Sequence, residues 1–160
     1  MPHRFIVSNP EKCVGCQLCE YVCSAVKEKS FNPMLSRIRV VRIDPVVSMS
    51  IACRLCEDPT CVVSCPRKAL TANQETGVII VDEDKCNGCG WCIEACEFGA
   101  IFLHPGKKVV FACDLCVVEK GPKCVEFCPK DALEFMTLEE VAQKARKKAV
   151  KKLLEELVKS

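Results

Sequence analysis

Cys86-Asn-Gly-Cys-Gly-Trp-Cys92, completed by Cys96, decides how the rest of the chain is read. Its spacing is C-x2-C-x2-C-x3-C. Three thiolates in one loop can each take an iron of a single cubane cluster. The fourth, about one helical turn further on, ligates the other cluster where two clusters share such a chain. The same run recurs at Cys13, Cys16, Cys19 and Cys23. Two looser versions, Cys53, Cys56, Cys61, Cys65 and Cys113, Cys116, Cys124, Cys128, widen the second gap to four and seven residues. All sixteen cysteines fall into these four quartets. The chain is therefore read as a carrier of four [4Fe–4S] clusters with every cysteine an iron ligand.

Composition agrees with a metal-stapled domain. The sixteen cysteines are a tenth of the 160 residues, and without them the apolar share falls from 49% to roughly 39%. One Trp, one Tyr and seven Phe give few aromatic anchors. Metal–thiolate bonds are expected to replace much of the missing core, and the iron-free chain is expected to be largely unfolded. The opening Met1-Pro-His-Arg-Phe-Ile-Val-Ser8 has no apolar core of signal-peptide length and no twin-arginine pair. No apolar window reaches the ~18 residues of a membrane span. A reduced, cytoplasmic setting is expected, in which the quartets are metal sites rather than disulfides. A net charge of +2 lacks the basicity of a nucleic-acid binder. Abundant Lys, Glu and Val with sparse Asn and Gln lean towards a thermophile.

Along the chain, Arg4 to Val7 reads as a strand leading through Asn9-Pro10 into the first loop, and a short helix carrying Cys23 is predicted from about Gln17 to Lys27. Arg37 to Ile43 and Val46 to Ala52 read as a hairpin interrupted by Asp44-Pro45. Gly77 to Asp82, Lys108 to Ala112 and Leu133 to Phe135 are further short strands. Proline after Cys65 and Cys128 stops the short helices there, whereas Ser24 and Glu97 follow Cys23 and Cys96 and leave those turns less constrained. Gly15, Gly88 and Gly90 let backbone amides approach a cluster, or serve turn geometry alone. Thr137-Leu-Glu-Glu140 is a capping box that opens a helix of about 20 residues. Leu138, Val141, Ala142, Ala145, Ala149, Val150, Leu153, Leu154 and Leu157 form one broad face of it. That face is expected to pack on the cluster domain with a solvated basic side. Docking to a partner subunit is the alternative, and a membrane-surface helix is the third.

Cysteine exchange between clusters requires the quartets to pair. The two central quartets, with the strand at Val78–Val81 between them, make one complete two-cluster unit and leave the first and last for an outer unit. The nested sets are Cys13, Cys16, Cys19 with Cys128; Cys113, Cys116, Cys124 with Cys23; Cys53, Cys56, Cys61 with Cys96; and Cys86, Cys89, Cys92 with Cys65. Sequential pairing competes, and spacing alone does not decide between them. The fold expected is α+β: tandem or nested bacterial ferredoxin-like units, two pseudo-symmetric two-cluster units with a C-terminal helix. Residues 1–136 would form the four-cluster domain, with an outer unit of 1–36 plus 106–136 and an inner unit of 50–105, and residues 137–160 the helix.

Cys53-Arg-Leu-Cys-Glu-Asp-Pro-Thr-Cys61 through Cys65-Pro-Arg-Lys-Ala-Leu70 resembles the second motif of four-cluster ferredoxin-type subunits. Cys113-Asp-Leu-Cys116, Gly121-Pro-Lys-Cys124 and Cys128-Pro-Lys-Asp-Ala-Leu133 resemble their fourth. These subunits accompany molybdenum and tungsten oxidoreductases such as dimethyl sulfoxide reductase and formate dehydrogenase, and some hydrogenases. The resemblance spans roughly residues 4–135 and implies the nested pairing. Glu97 in place of the usual Pro, and Trp91 where a smaller or basic residue is common, depart from the family. In compactness the chain looks most like the polyferredoxin small subunit of archaeal tungsten aldehyde oxidoreductases.

The resemblance implies a non-catalytic relay between the active site of a large tungsten- or molybdenum-pterin subunit and an acceptor such as ferredoxin. A free soluble polyferredoxin, or the relay of a formate dehydrogenase or hydrogenase, is the alternative. No phosphate loop or dinucleotide fingerprint is present, and His3 and His104 read as exposed-loop residues. A zinc protein is disfavoured, because zinc quartets come as two separated C-x2-C pairs.

Overall fold

The computed structural model describes residues 3–43 and 46–158. The predicted breaker Asp44-Pro45 lies outside the described residues. Strands β1 (Arg4–Ser8), β2 (Arg39–Arg42), β3 (Ser48–Ile51), β4 (Leu70–Ala72), β5 (Ile79–Val81), β6 (Ile101–Leu103), β7 (Val110–Ala112) and β8 (Leu133–Thr137) form four antiparallel pairs. Helices α1 (Leu18–Glu28), α2 (Thr60–Val63), α3 (Trp91–Glu94), α4 (Lys123–Glu126) and α5 (Leu138–Val158) are spaced between and after them. The architecture is α+β.

The pairing follows a cyclic rule. β2 pairs with β3, β4 with β5 and β6 with β7, so the strand after one quartet pairs with the strand before the next. β8 then returns to β1, from Ser8 against Leu133 to Arg4 against Thr137, and joins the two ends of the cluster-bearing region. Each ladder is short, and β4 and β6, of three residues each, were not anticipated. Three residues carry too little period-2 pattern to stand out.

The core is shared between small apolar residues and thiols. Ile38, Leu70, Ile79, Ala100, Ile101, Val110, Ala132 and Leu133 are buried together with Cys19, Cys53, Cys61, Cys92, Cys113 and Cys124. α2 and α3 pack together, and α1 packs on α4.

α5 begins as its sequence dictates. The Thr137 amide donates to the Glu140 carboxylate at 2.7 Å and the Glu140 amide to the Thr137 hydroxyl at 3.2 Å, a reciprocal capping box. Ion pairs of Arg4 with Glu140, Lys144 with Glu134 and Lys148 with Glu11 tie its first half to the body. The expected packing of its apolar face is confined to the start of the helix. Val141 alone of that face packs against the core, and Leu138, Val150, Leu153 and Leu154 are exposed. No residue of α5 is buried. No helix among the described residues is long and apolar enough to cross a membrane.

Candidate iron–sulfur sites

The four C-x-x-C turns share one backbone device. The residue two after the leading cysteine is left-handed in each: Gly15 (φ 66°), Leu55 (φ 52°), Gly88 (φ 68°) and Leu115 (φ 58°). Glycine meets that demand without steric cost, and at Gly15 a Cβ would also stand 2.7 Å from the Ser48 hydroxyl. Leu55 and Leu115 carry a cost of roughly 1–2 kcal/mol each and are buried, so packing holds them there. Sequence reasoning singled out the glycines and missed the leucines, because leucine gives no warning of a positive φ.

A second device returns the backbone from the fourth cysteine. After Cys65, Cys96 and Cys128 the amide four residues on donates to the cysteine sulfur: Ala69 at 3.3 Å, Ala100 at 3.4 Å and Ala132 at 3.3 Å. The residue before each alanine is again left-handed, namely Lys68, Gly99 and Asp131. The Cys96 turn forms without the proline that the other two carry, so Glu97 does not loosen it. The first quartet differs. α1 runs through Cys23 to Glu28, and the amide of Arg37 supplies the N–H···S bond at 3.2 Å.

Hydrogen bonding also relates the quartets in pairs. The Asn9 amide, four residues before Cys13, donates to the carbonyl of Ala132, four residues after Cys128. The Asp82 amide, four before Cys86, donates to the carbonyl of Ala69, four after Cys65. Each side chain then accepts amides of the adjoining loop, Glu11 at Asn9 and both Asp84 and Lys85 at Asp82. The first quartet thus stands to the last as the third stands to the second.

Cysteines from different quartets line common cavities. One is lined by Cys13, Cys16, Cys19 and Cys128. A second is lined by Cys53, Cys56, Cys61 and Cys96, and a third by Cys86, Cys89, Cys92 and Cys65. For the remaining four, α1 brings Cys23 against α4 with Cys124, and Cys124 interacts electrostatically with Cys113, Cys23 and Cys116. Four sulfurs around a common cavity are the donor set that a cubane takes, and three of the four sites show it.

The surroundings set the thiols' acidity. Burial pushes Cys19 up to about 11, with the Ser50 hydroxyl 3.6 Å from its sulfur working the other way. Burial pushes Cys61 up to about 12, and the neighbouring Cys53, Cys96 and Cys56 add to it. Cys113 and Cys124 are driven further up, by burial first. Such thiols do not ionise alone, and the positive charge of iron is what makes thiolates tenable here. At Cys65 burial also works upward, but the amides of Ala69, Arg67, Leu70 and Lys68 outweigh it and hold the thiol below its ordinary value.

Three sequence expectations need adjustment. Gln17 does not join α1 but stands left-handed at its N-cap, φ 61°. His104 is half-buried, its ring edge-on to Phe111 and its Nδ1 accepting the Gly106 amide at 3.0 Å. His3 is half-buried as well, close against Gly77. Neither histidine lines any of these three cavities. Trp91 lies beside Cys92 with its ring largely in solvent and lines the third cavity.

Comparison with known proteins points to iron–sulfur relatives. The sequence profile of the 4Fe-4S dicluster domain matches residues 46–138, more than half of the sequence. The polyferredoxin-like subunit of the aliphatic sulfonate oxidoreductase of Pyrococcus furiosus is 41% identical over 136 residues, covering 83% of this chain and 78% of its own. The thiosulfate reductase electron transfer subunit of Salmonella typhi is 30% identical over 153 residues, covering 88% and 79%. Among solved structures, a subunit of the active-site complex BamBC of benzoyl coenzyme A reductase with benzoyl-CoA shares the fold. Its TM-score is 0.52 at 23% identity, over 100% of this chain and 99% of that one. With four quartets of sulfur donors and these relatives, the protein belongs to the 4Fe-4S dicluster domain family and is a non-catalytic electron-transfer subunit carrying four [4Fe–4S] clusters.

Proposed function

We propose that the chain relays electrons between the active site of a tungsten- or molybdenum-pterin subunit and an external acceptor such as a ferredoxin, in the cytoplasm. The observation that carries the reading is the set of cavities lined by cysteines of two different quartets. They support three nested ligand sets: Cys13, Cys16, Cys19 and Cys128 at the first site; Cys53, Cys56, Cys61 and Cys96 at the second; Cys86, Cys89, Cys92 and Cys65 at the third. The cysteines that remain, Cys113, Cys116, Cys124 and Cys23, make the fourth, and the packing of α1 on α4 supports it. The outer unit, 1–36 plus 106–136, then holds the first and fourth sites and the inner unit, 50–105, the other two. When bound, each cluster supplies one-electron chemistry. This chain's residues supply the thiolates, the amides on the sulfurs and the shielding from water.

The sites succeed one another as first, fourth, second, third. That order is supported by burial and neighbouring thiols pushing Cys124 and Cys113 up, Cys19 of the first site among the neighbours of Cys124 and Cys53 of the second among those of Cys113, and by the packing of α2, with Cys61, on α3, with Cys92. The exposed cysteines, Cys16 and Cys89, then fall at the two ends of the row, where electrons would enter and leave. The Pyrococcus relative, named as a subunit of an oxidoreductase, supports a fixed catalytic partner. The exposed apolar residues of α5 give such a partner something to hold.

The test is metal analysis of the tagged protein, purified without oxygen from its own source with whatever accompanies it. The expected result is about 16 irons per chain, together with tungsten or molybdenum and a large second polypeptide. Iron alone with no second polypeptide would make the protein a free carrier, and nickel would assign it to a hydrogenase. Zinc at about four per chain with little iron would overturn the reading.

A further inference from the structure

The fourth site stands apart from the others. Cys23, Cys113, Cys116 and Cys124 are all buried, whereas each of the other three sites has cysteines that reach solvent. Reduction brings one electron and one negative charge to a cluster, and no bond need form or break. Burial penalises that added charge, so the most enclosed cluster would otherwise be the hardest to reduce. The fourth site also lies inside the row, between the first and the second, where a cluster that resists reduction would slow every transfer.

The structure places two cations against this site. Lys27 comes one turn of α1 after Cys23, and its side chain is only 7% exposed. Its ammonium lies 2.9 Å from Asp114 and 2.7 Å from Glu119. Arg37 donates its amide to the Cys23 sulfur at 3.2 Å, and its guanidinium lies 2.8 Å from Asp114 and 3.4 Å from Glu28. The buried Nε–H of Arg37 has no hydrogen-bond partner among the described residues.

The carboxylates do not simply cancel these cations. Asp114, Glu119 and Glu28 have side chains 29–31% exposed, so water screens them more than it screens Lys27. Burial alone would lower the Lys27 ammonium, but Glu119 and Asp114 hold it above its ordinary value, so it stays charged. Cations line the other sites as well, Lys130 at the first, Arg54 at the second and Arg67 at the third. Arg54 at the second stacks on Phe5 and Phe98, and Arg67 at the third reaches away to the Lys85 carbonyl.

We propose that Lys27 and Arg37 are positioning residues that raise the reduction potential of the fourth-site cluster and keep the most buried member of the row in step with its neighbours. The proposal rests on the ligand set given above for that site. Its test is a redox titration of the holoprotein followed by electron paramagnetic resonance, with iron content measured alongside. Lys27→Met is expected to lower one midpoint and leave three in place, and Lys27→Arg to restore it. Glu119→Gln, which removes an outer countercharge and keeps the lysine, is expected to raise the same midpoint. Opposite shifts from two variants are not what a merely structural role produces, and Glu119→Gln keeps the test open if Lys27→Met does not fold.

Cys116→Ser and Cys23→Ser identify the cluster. If both alter the signal whose midpoint moves, the proposal stands. If the two serine variants alter different signals, the ligand set fails and the proposal with it. Unchanged midpoints in Lys27→Met and Glu119→Gln, with iron at the wild-type level, overturn the proposal and leave the ligand set intact.

Discussion

The first and third quartets have the same spacing, C-x2-C-x2-C-x3-C, yet the backbone leaves them in different ways. In the first, an eleven-residue helix from Leu18 carries it through Cys23 to Glu28, whereas the helix holding Cys92 ends after four residues and the backbone turns back at Gly99. The difference lies in the residues after the fourth cysteine. Ser24-Ala-Val-Lys-Glu28 has no residue suited to a left-handed turn, while Glu97-Phe-Gly99-Ala100 puts glycine at the position where the backbone must reverse. Cysteine spacing thus marks the sulfurs as ligands, and the next few residues fix where the backbone goes. The long exit is what places Lys27 and Arg37 beside Cys23. The three short exits place a backbone amide on the sulfur and lead at once into a strand.

The largest expected effect comes from taking the iron away. The short exits lead into three- and five-residue strands, and α2 and α3 have four residues each, too few to persist without tertiary support. The buried thiols beneath them would lose the positive charge that stabilises their anions. An anaerobic chelator should therefore abolish amide-exchange protection through β4 to β7. Any residual protection should lie in α1 and in the five-residue β1–β8 ladder. Protection retained in β4 to β7 with no iron present would contradict the metal-stapled core.

Exchanging the exits is the next largest test. Gly99→Val forces a β-branched residue to φ 59° and should destabilise the holoprotein by about 2 kcal/mol, seen as an earlier denaturant midpoint for loss of cluster absorbance. Val26 is the counterpart three residues after Cys23, half-buried within α1. Val26→Gly should cost about 1 kcal/mol through weaker helix propensity and lost packing, with the same readout. If Gly99→Val proves neutral, the short exit does not depend on a left-handed residue.

Much of this was legible in the sequence, since cysteine spacing, proline, glycine and the capping box are local signals. The quartets, the hairpin at β2 and β3, and the start of α5 all derive from them. Signals at a distance were weaker. Spacing left nested and sequential pairing open, because the choice depends on β1 meeting β8 across the whole cluster-bearing region. The amphipathic pattern of α5 defined an apolar face but not its cover, and Leu153 and Leu154 lie in solvent. Leu55 and Leu115 adopt a conformation their side chains disfavour, so only the tertiary packing that holds them reveals it.

The smallest effect sharpens the comparison most, because it has the opposite sign. Lys68 and Asp131 occupy the position of Gly99 in their own exits, both exposed, at φ 49° and φ 46°. A residue with a Cβ gives up roughly 1–2 kcal/mol there, and glycine recovers that at an entropic cost of about 0.4–1 kcal/mol in the unfolded state. Lys68→Gly should therefore stabilise the holoprotein by a few tenths of a kcal/mol to about 1 kcal/mol. Asp131→Gly should gain less, since aspartate tolerates the left-handed region better than lysine does. The same replacement at Val26 destabilises, because there the backbone is helical. Glycine introduced three residues after the fourth cysteine should thus stabilise the second and fourth quartets and weaken the first, a reversal readable as shifts of one denaturation midpoint in opposite directions.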